Sequence, residues 1–575
     1  MKFSGAFIGS LALGGAFGSL VAREDLPELV SVVPMKRYVK FDFGKLRGDS
    51  AETAQLGATG SANIFKRNDG TALVYLKNEQ TFYSVEIGVG TPAQNQTLLI
   101  DTGSSDLWVM GSNNPYCAGS SSSSSKKNAN LENKDLFSWF SSLTADFTTT
   151  DIVSATDTPT STSVPSGDAT LSCSQWGTFA TSSSSTFKSN DTEFYISYGD
   201  GTYALGTWGS DRITLQDIEI PRVNFGVANE STSEFGVLGL GMEELESTNT
   251  LSTSGDQYTY INFPSALKLQ GDIHTRAFSL FLDELDASHG SILFGAVDHS
   301  KYSGNLYTVP IINTYKSQGY ANPIRFEVTL QGLGLIVNET GTTITTTKIP
   351  VVLDSGSTLS YLPSSLVSAV ASNLDATYSS SSGLYFFDCS EISDEDSFVF
   401  DFGGFQISSS LKNYVLETSS GSQCALGMVP QSSGSFILGD NFLTAAYVVF
   451  DIDNMQISMA QANYDGGDED VEVISSTVPG ATSAPMYSST FSSSASITTG
   501  GNIFTLSSGA YATTKSNSNS TITSIRGSNS GSNSASSSAT SSGAKANGAA
   551  AVMDSESSIF GFLTVFGISL LAGLL

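Results

Sequence analysis

Two short segments of the 575-residue chain carry the same pattern of residues able to do chemistry. The first is Leu98-Leu99-Ile100-Asp101-Thr102-Gly103-Ser104-Ser105, and the second is Val351-Val352-Leu353-Asp354-Ser355-Gly356-Ser357-Thr358. In each, an apolar run ends on an aspartate, then a small hydroxyl residue, a glycine and further hydroxyls. A second echo lies downstream of each: Val237-Leu238-Gly239-Leu240-Gly241 and Ile437-Leu438-Gly439-Asp440. Brought within a hydrogen bond of one another, two carboxyls cannot both ionise, so Asp101 and Asp354 would share one proton. Such a pair supplies a base and an acid at the same place: one carboxylate to draw a proton from water, one carboxylic acid to donate.

Positioning them asks for two copies of one strand–loop–strand layout, hence two similar lobes meeting at the aspartate loops. The rest of residues 68–465 fits a β-rich body. Short apolar–polar alternations broken by Gly, Asn and Ser read as strands, for example Phe82 to Val89, Thr97 to Ile100, Val351 to Leu353 and Ala446 to Phe450. The better short-helix candidates are Pro363 to Ser372 and Pro264 to Leu269. The net charge of −29 disfavours a nucleic-acid partner. Only 14% of residues are charged, against roughly 25% in an average soluble protein. His274, His289 and His299 are scattered and no C-x-x-C occurs, so neither a metal site nor a cofactor is expected. Four cysteines leave three disulfide pairings open.

Both ends read as targeting signals. Lys2 precedes an apolar run from Phe7 to Ala22 that stops at small residues before Arg23, as in a secretory signal peptide spanning 1–22. Residues 23–67 hold eight bases and six acids, a basic leader on an acidic body that could cover an acidic cleft. Its dibasic end, Lys66-Arg67, would place the mature start at Asn68. At the other end Ile559 to Leu575 is apolar and uncharged, preceded by small residues at Asn547, Gly548 and Ala549 and a spacer from Ala550 to Ser558. That is the layout of a glycosylphosphatidylinositol attachment signal at 548–575, with Asn547 the attachment residue and Gly543 a second candidate. Between Ser475 and Ser542, 35 of 68 residues are Ser or Thr, so residues 466–547 are expected to form an extended stalk. Sequons at Asn95, Asn190, Asn229, Asn338 and Asn519 suit passage through the secretory route.

Asp101-Thr102-Gly103-Ser104-Ser105-Asp106-Leu107-Trp108-Val109 resembles the first-lobe signature of pepsin-like aspartic proteases, and Asp354-Ser355-Gly356-Ser357-Thr358 resembles its partner. The likeness covers roughly residues 78 to 462, including a flap at Tyr198-Gly199-Asp200-Gly201 and closing strands from Ala445 to Ala460. With the leader, stalk and anchor signal, the chain is similar to the yapsins, fungal cell-surface aspartic proteases. The resemblance implies a mostly β, bilobal pepsin-like fold with pseudo-twofold lobes and the active site between them. It implies an aspartic endopeptidase in which Asp101 and Asp354 activate a water against the scissile carbonyl. Thr102 and Ser355 would brace the loops, Ser104 and Ser357 would bond the outer carboxylate oxygens, and Gly103 and Gly356 would let the backbones approach. Tyr198 would cover the substrate over Trp108. A nucleophilic hydrolase lacks a G-x-S-x-G, and a non-catalytic wall glycoprotein would not need the intact pair.

Departures from the plain pattern carry further expectations. Asp101 to Gly239 spans 138 residues against 85 from Asp354 to Gly439, so the first lobe holds an insert of about 53. By the resemblance, Cys117 pairs with Cys173 around that insert (118–172) and Cys389 pairs with Cys424, one disulfide per lobe. Lys126-Lys127 lies at the yapsin processing loop, so the expected monomeric unit could be two disulfide-linked chains after cutting. Asp200 at the flap tip can pair with Lys or Arg beside the scissile bond, and yapsins cleave after basic residues. Protein and propeptide substrates with basic sites, the membrane through the lipid anchor, and cell-wall glucan are the partners this reading implies.

Overall fold

The structure is a computed structural model that describes residues 38–46, 64–66, 72–74, 82–117, 171, 173–198, 203–215, 218–231, 233–250, 257–287, 289–380, 382–417, 422–432, 434–491 and 497–504. Strands dominate, and the short helices Phe263–Gln270 and Ser364–Asn373 stand where the sequence suggested them. Asn262 caps the first helix by accepting from Ser265 N, and Pro264 sits in its first turn, where a missing N–H costs nothing.

The duplication seen in the sequence is a duplication of strand pairing. In the first lobe Gly236–Gly239 runs parallel to Gln94–Asp101, with Gly239 opposite Asp101, and antiparallel to Leu107–Met110. Leu107–Met110 in turn runs parallel to Ile218–Ser231. In the second lobe Ile437–Leu438 runs parallel to Ile349–Leu353 and antiparallel to Ser360–Pro363. Ser360–Pro363 runs parallel to Met428–Gln431. The apolar-apolar-glycine echoes are explained by space at the crossing. A Cβ on Gly239 would lie 2.6 Å from Asp106 N, and one on Gly439 would lie 2.3 Å from Ser357 O.

The first-lobe strands belong to a 14-stranded sheet that continues through Ala277–Phe281, His289–Phe294, Tyr302–Pro310, Ala446–Asp451 and Gln456–Ala462. One apolar core runs under both lobes, with Phe278, Phe326 and Phe450 in mutual ring contact.

Two features depart from the expected organisation. Within residues 23–67, expected from the sequence to be a leader, Val39–Leu46 is a strand inserted in the large sheet, paired with His289–Phe294 on one side and Phe82–Val89 on the other. Its alternation of apolar and polar residues buries Val39, Phe41 and Phe43. Lys40 of that strand pairs with Asp42 and Glu469.

The folded body also does not stop at residue 465. Val471–Val473 pairs with Ala296–Asp298, and Ala481–Ser483 adds a parallel edge to Tyr302–Pro310. Ile474, Val478 and Ile503 are buried, and Tyr487 accepts a hydrogen bond from Thr329 N at 2.8 Å. Composition alone suggested a stalk from 466, but a few apolar side chains spaced along the Ser/Thr-rich segment suffice to dock it as far as residue 504. Among the described residues no helix is long and apolar enough to cross a membrane.

Candidate active site

Asp101 closes the strand Gln94–Asp101, and Asp354 directly follows Ile349–Leu353. Each is delivered to the lobe junction by a fully apolar strand end. The two loops are cross-tied by four hydrogen bonds. Thr102 Oγ1 donates to Leu353 O at 2.9 Å and accepts from Ser355 N at 3.0 Å. Reciprocally, Ser355 Oγ donates to Ile100 O at 3.0 Å and accepts from Thr102 N at 3.2 Å. All these groups are buried, so each bond stands where water cannot replace it. A hydroxyl residue after each aspartate is therefore needed: only a side chain that both donates and accepts can make this exchange.

The carboxyls are held in matching ways. Gly103 N donates to Asp101 Oδ1 at 2.7 Å and Gly356 N to Asp354 Oδ1 at 2.8 Å. Ser104 Oγ donates to Asp101 Oδ2, and Ser357 Oγ to Asp354 Oδ2 at 2.8 Å. The two carboxyls also hydrogen-bond each other. Their closeness requires glycine on both sides. A Cβ on Gly103 would sit 2.5 Å from the Asp354 carboxyl, and one on Gly356 would sit 2.5 Å from Asp101 Oδ1.

Burial is the main cause that raises both carboxyls, and the Asp101 charge raises Asp354 further; the serine and glycine donors oppose it. The pair therefore holds one proton well above the ordinary carboxylate range while remaining a single negative charge. Among the described residues no group of three His, Cys, Asp or Glu is placed to hold a metal.

Trp108 is fully buried and its Nε1 donates to Tyr198 OH at 2.7 Å. Phe194 packs beside Trp108, and Trp208 packs against Phe194. Gly199 and Asp200, expected from the sequence at a flap tip, lie outside the described residues, as do Arg67, Asn68, Lys126, Lys127, Asn519 and Asn547. Asn95, Asn190 and Asn338 are exposed and Asn229 is half-buried. The disulfides are Cys117–Cys173 and Cys389–Cys424, with Cα separations of 5.4 and 5.1 Å. Residues 118–170, most of the insert, are outside the described residues.

The structure adds groups that sequence reasoning did not single out. Ser105 Oγ donates to Met242 O at 2.6 Å. Asp106 accepts from Tyr260 OH at 2.7 Å and from Ser247 N at 2.9 Å. Burial pushes Asp106 up to about 6. Arg325 is buried in the second lobe, within the otherwise apolar run Ile324-Arg325-Phe326. A charge inside such a run was the one signal available for it.

Residues 82–462 match the family model described as eukaryotic aspartyl protease. The chain belongs to this family. Among its relatives in Saccharomyces cerevisiae, aspartic proteinase 3 is 48% identical over 502 residues, covering 84% of this chain and 87% of the relative. Aspartic proteinase MKC7 is 50% identical over 493 residues, with 84% and 82% covered. Aspartic proteinase yapsin-3 is 44% identical over 485 residues, with 83% of each covered. This aspartyl protease is thus a pepsin-like aspartic endopeptidase of yapsin type, and peptides and proteins are its substrate class.

Proposed function

We propose that Asp101 and Asp354 are the catalytic dyad of a secreted, surface-tethered endopeptidase that cuts after basic residues. The observation that carries the dyad is the buried pair of carboxyls, bonded to each other and fixed by matched serine and glycine donors. In the resting enzyme one carboxyl is ionised and the other protonated. The ionised member takes a proton from a water lying between them, and the resulting hydroxide attacks the scissile carbonyl carbon. The protonated member gives its proton to the carbonyl oxygen, producing a neutral tetrahedral diol. Proton transfer from the newly protonated carboxyl to the amide nitrogen, with a diol hydroxyl giving its proton to the other carboxylate, then breaks the C–N bond and leaves the pair with one proton. Ser104 and Ser357, bonded to the outer oxygens, keep the inner oxygens turned toward the substrate.

Three features support the preference for Lys and Arg. The body between residues 68 and 547 carries about thirty net negative charges, Asp200 stands at the flap tip in the sequence, and the relatives include a yapsin. The domain plan that accompanies this reading is a signal at 1–22, a leader at 23–67 cut after Arg67, and a lipid anchor at Asn547 or Gly543 with 548–575 removed. Cutting at Lys126-Lys127 would leave two chains joined by Cys117–Cys173.

The test is hydrolysis of a dibasic peptide and an apolar analogue at acidic pH, with and without a statine-type inhibitor. Asp101→Ala is expected to abolish both activities; activity surviving it overturns the dyad. Asp200→Thr is expected to lower kcat/KM on the basic peptide at least tenfold while sparing the apolar one. Equal loss on both refutes the flap carboxylate as the source of the preference.

A further inference from the structure

Arg325 is 3% exposed, and its charge is not matched by any ion pair among the described residues. Its Nη1 donates to Ser435 Oγ and its guanidinium lies 4.6 Å from the Tyr315 ring centre. Its Nε and Nη2 are buried with no hydrogen-bond partner. A guanidinium does not lose its proton in the working range, and burying a charge without compensation costs several kcal/mol. Such a group persists where something uses its charge.

The backbone places Arg325 at the catalytic loop. Leu353 N donates to the carbonyl of Phe326 at 3.0 Å, so the residues before Asp354 and after Arg325 are bonded to each other. Ser435, the tether, precedes Phe436, whose carbonyl accepts from Val352 N at 2.8 Å. The acids within electrostatic reach of Arg325 are Glu327 and Asp354, alongside the phenols of Tyr315 and Tyr320. Glu327 is occupied: its Oε2 accepts from Thr314 Oγ1 at 2.5 Å, and burial pushes its carboxyl up to about 7. Below that pH Glu327 is neutral, and burial raises the Tyr320 phenol from its ordinary value. From the other side of the dyad come Asp101 itself, Asp106, which is turned to Ser247 and Tyr260, and Asp440, whose N–H donates to Ser357 O. Among the described residues, the negative charge left in acid to balance Arg325 is that of the Asp101–Asp354 pair.

We propose that Arg325 is a positioning residue of the dyad, a fixed buried cation beside the second catalytic loop that stabilises the singly ionised pair. The inference rests on Asp101 and Asp354 being the catalytic pair.

The experiment is the pH profile of kcat/KM for Arg325→Met, Arg325→Lys and Glu327→Gln beside wild type, each checked for folding by its melting temperature. Removing the cation should move both limbs of the bell-shaped profile to higher pH, by on the order of one unit. Arg325→Lys should hold the limbs near their wild-type positions even if its rate is lower, and Glu327→Gln should leave them unmoved. Should Arg325→Met fail to fold, Ser435→Ala, which releases only the Nη1 tether, should give a smaller shift in the same direction. Unshifted limbs in the variant that folds overturn the proposal whatever happens to the rate, because a merely structural role would lower activity without moving them. An Arg325→Lys profile displaced as far as that of Arg325→Met overturns it too. Activity surviving Asp101→Ala would instead show that the dyad reading itself had failed.

Discussion

Glu246 offers a sharp test of how the stability of this enzyme depends on pH. It is wholly buried just after the short turn Glu243–Leu245. Tyr260 N donates to its Oε2 at 2.7 Å, and its Oε1 has no partner. Among the described residues the charged groups around it are acids, Asp106, Glu243 and Glu244, and the Tyr260 N–H bond opposes the cost of ionising it only in part. Burial pushes its carboxyl from 4.5 up to about 10, with those neighbours adding to the effect. The native state therefore keeps a proton that the unfolded chain gives up near pH 4.5. Between those two values the unfolded chain binds fewer protons than the native one, so stability falls as pH rises.

The slope is about 1.4 kcal/mol per pH unit for one group, giving an upper bound of about 3 kcal/mol between pH 4.5 and 7. Against a total stability of about 5–15 kcal/mol this is a large share. Glu246→Gln has nearly the same shape, keeps an acceptor for Tyr260 N and does not titrate. Urea unfolding in an Asp101→Ala background, which prevents self-digestion, should find the variant within about 1 kcal/mol of its parent at pH 4.5. At pH 7 the variant should be the more stable, by about 2–3 kcal/mol. A difference that is the same at both pH values would refute the reasoning, whatever its size.

Two further outcomes follow from the geometry. Gly356→Ala places a methyl 2.5 Å from Asp101 Oδ1, so kcat/KM should fall at least ~10²-fold through displacement of the carboxyls, with a smaller effect on melting temperature. Ending the chain after residue 465 uncovers the partners of Ile474, Val478 and Ile503, each contributing about 1.5–3 kcal/mol, and should lower the melting temperature markedly. Ending it after residue 504 should not; equal melting temperatures for the two truncations would sink the docked-segment assignment.

The dyad and the two-lobed plan were legible because duplication prints itself in sequence. The same apolar–Asp–hydroxyl–Gly order recurs because each strand end must deliver a carboxyl and a bracing hydroxyl to one junction. Thr102 and Ser355 show it well, since each bond that one makes has its counterpart in the other. What stayed hidden depends on contacts between distant residues. Glu243-Glu244-Leu245-Glu246 reads as a solvated acidic turn, yet Glu246 is buried by Tyr260 and by the Asp106 network. Arg325 is marked in the sequence only by the apolar residues on either side of it. The 466–504 segment has the composition of a linker, because its docking relies on a handful of apolar residues that an average over Ser and Thr dilutes.

The two ends of the body show why charge was a poor guide to their roles. Residues 23–67 are basic and the body acidic, which suggested an electrostatic cover. Yet Lys40 meets Asp42 and Glu469 with all three side chains partly exposed, at 24%, 63% and 51%, and such pairs contribute about 0–1 kcal/mol. The same strand buries Val39, Phe41 and Phe43 and shares backbone ladders with neighbours on both sides. Phe41 packs edge-on against Phe294 and Phe43 against Tyr83. Burial of those three side chains outweighs the ion pairs several-fold at about 1.5–3 kcal/mol each. Cutting the proposed site after Arg67 would break one peptide bond and none of these contacts. The strand is thus retained by packing and pairing, and its departure requires something that competes for the ladder as well as a protease that cuts the chain.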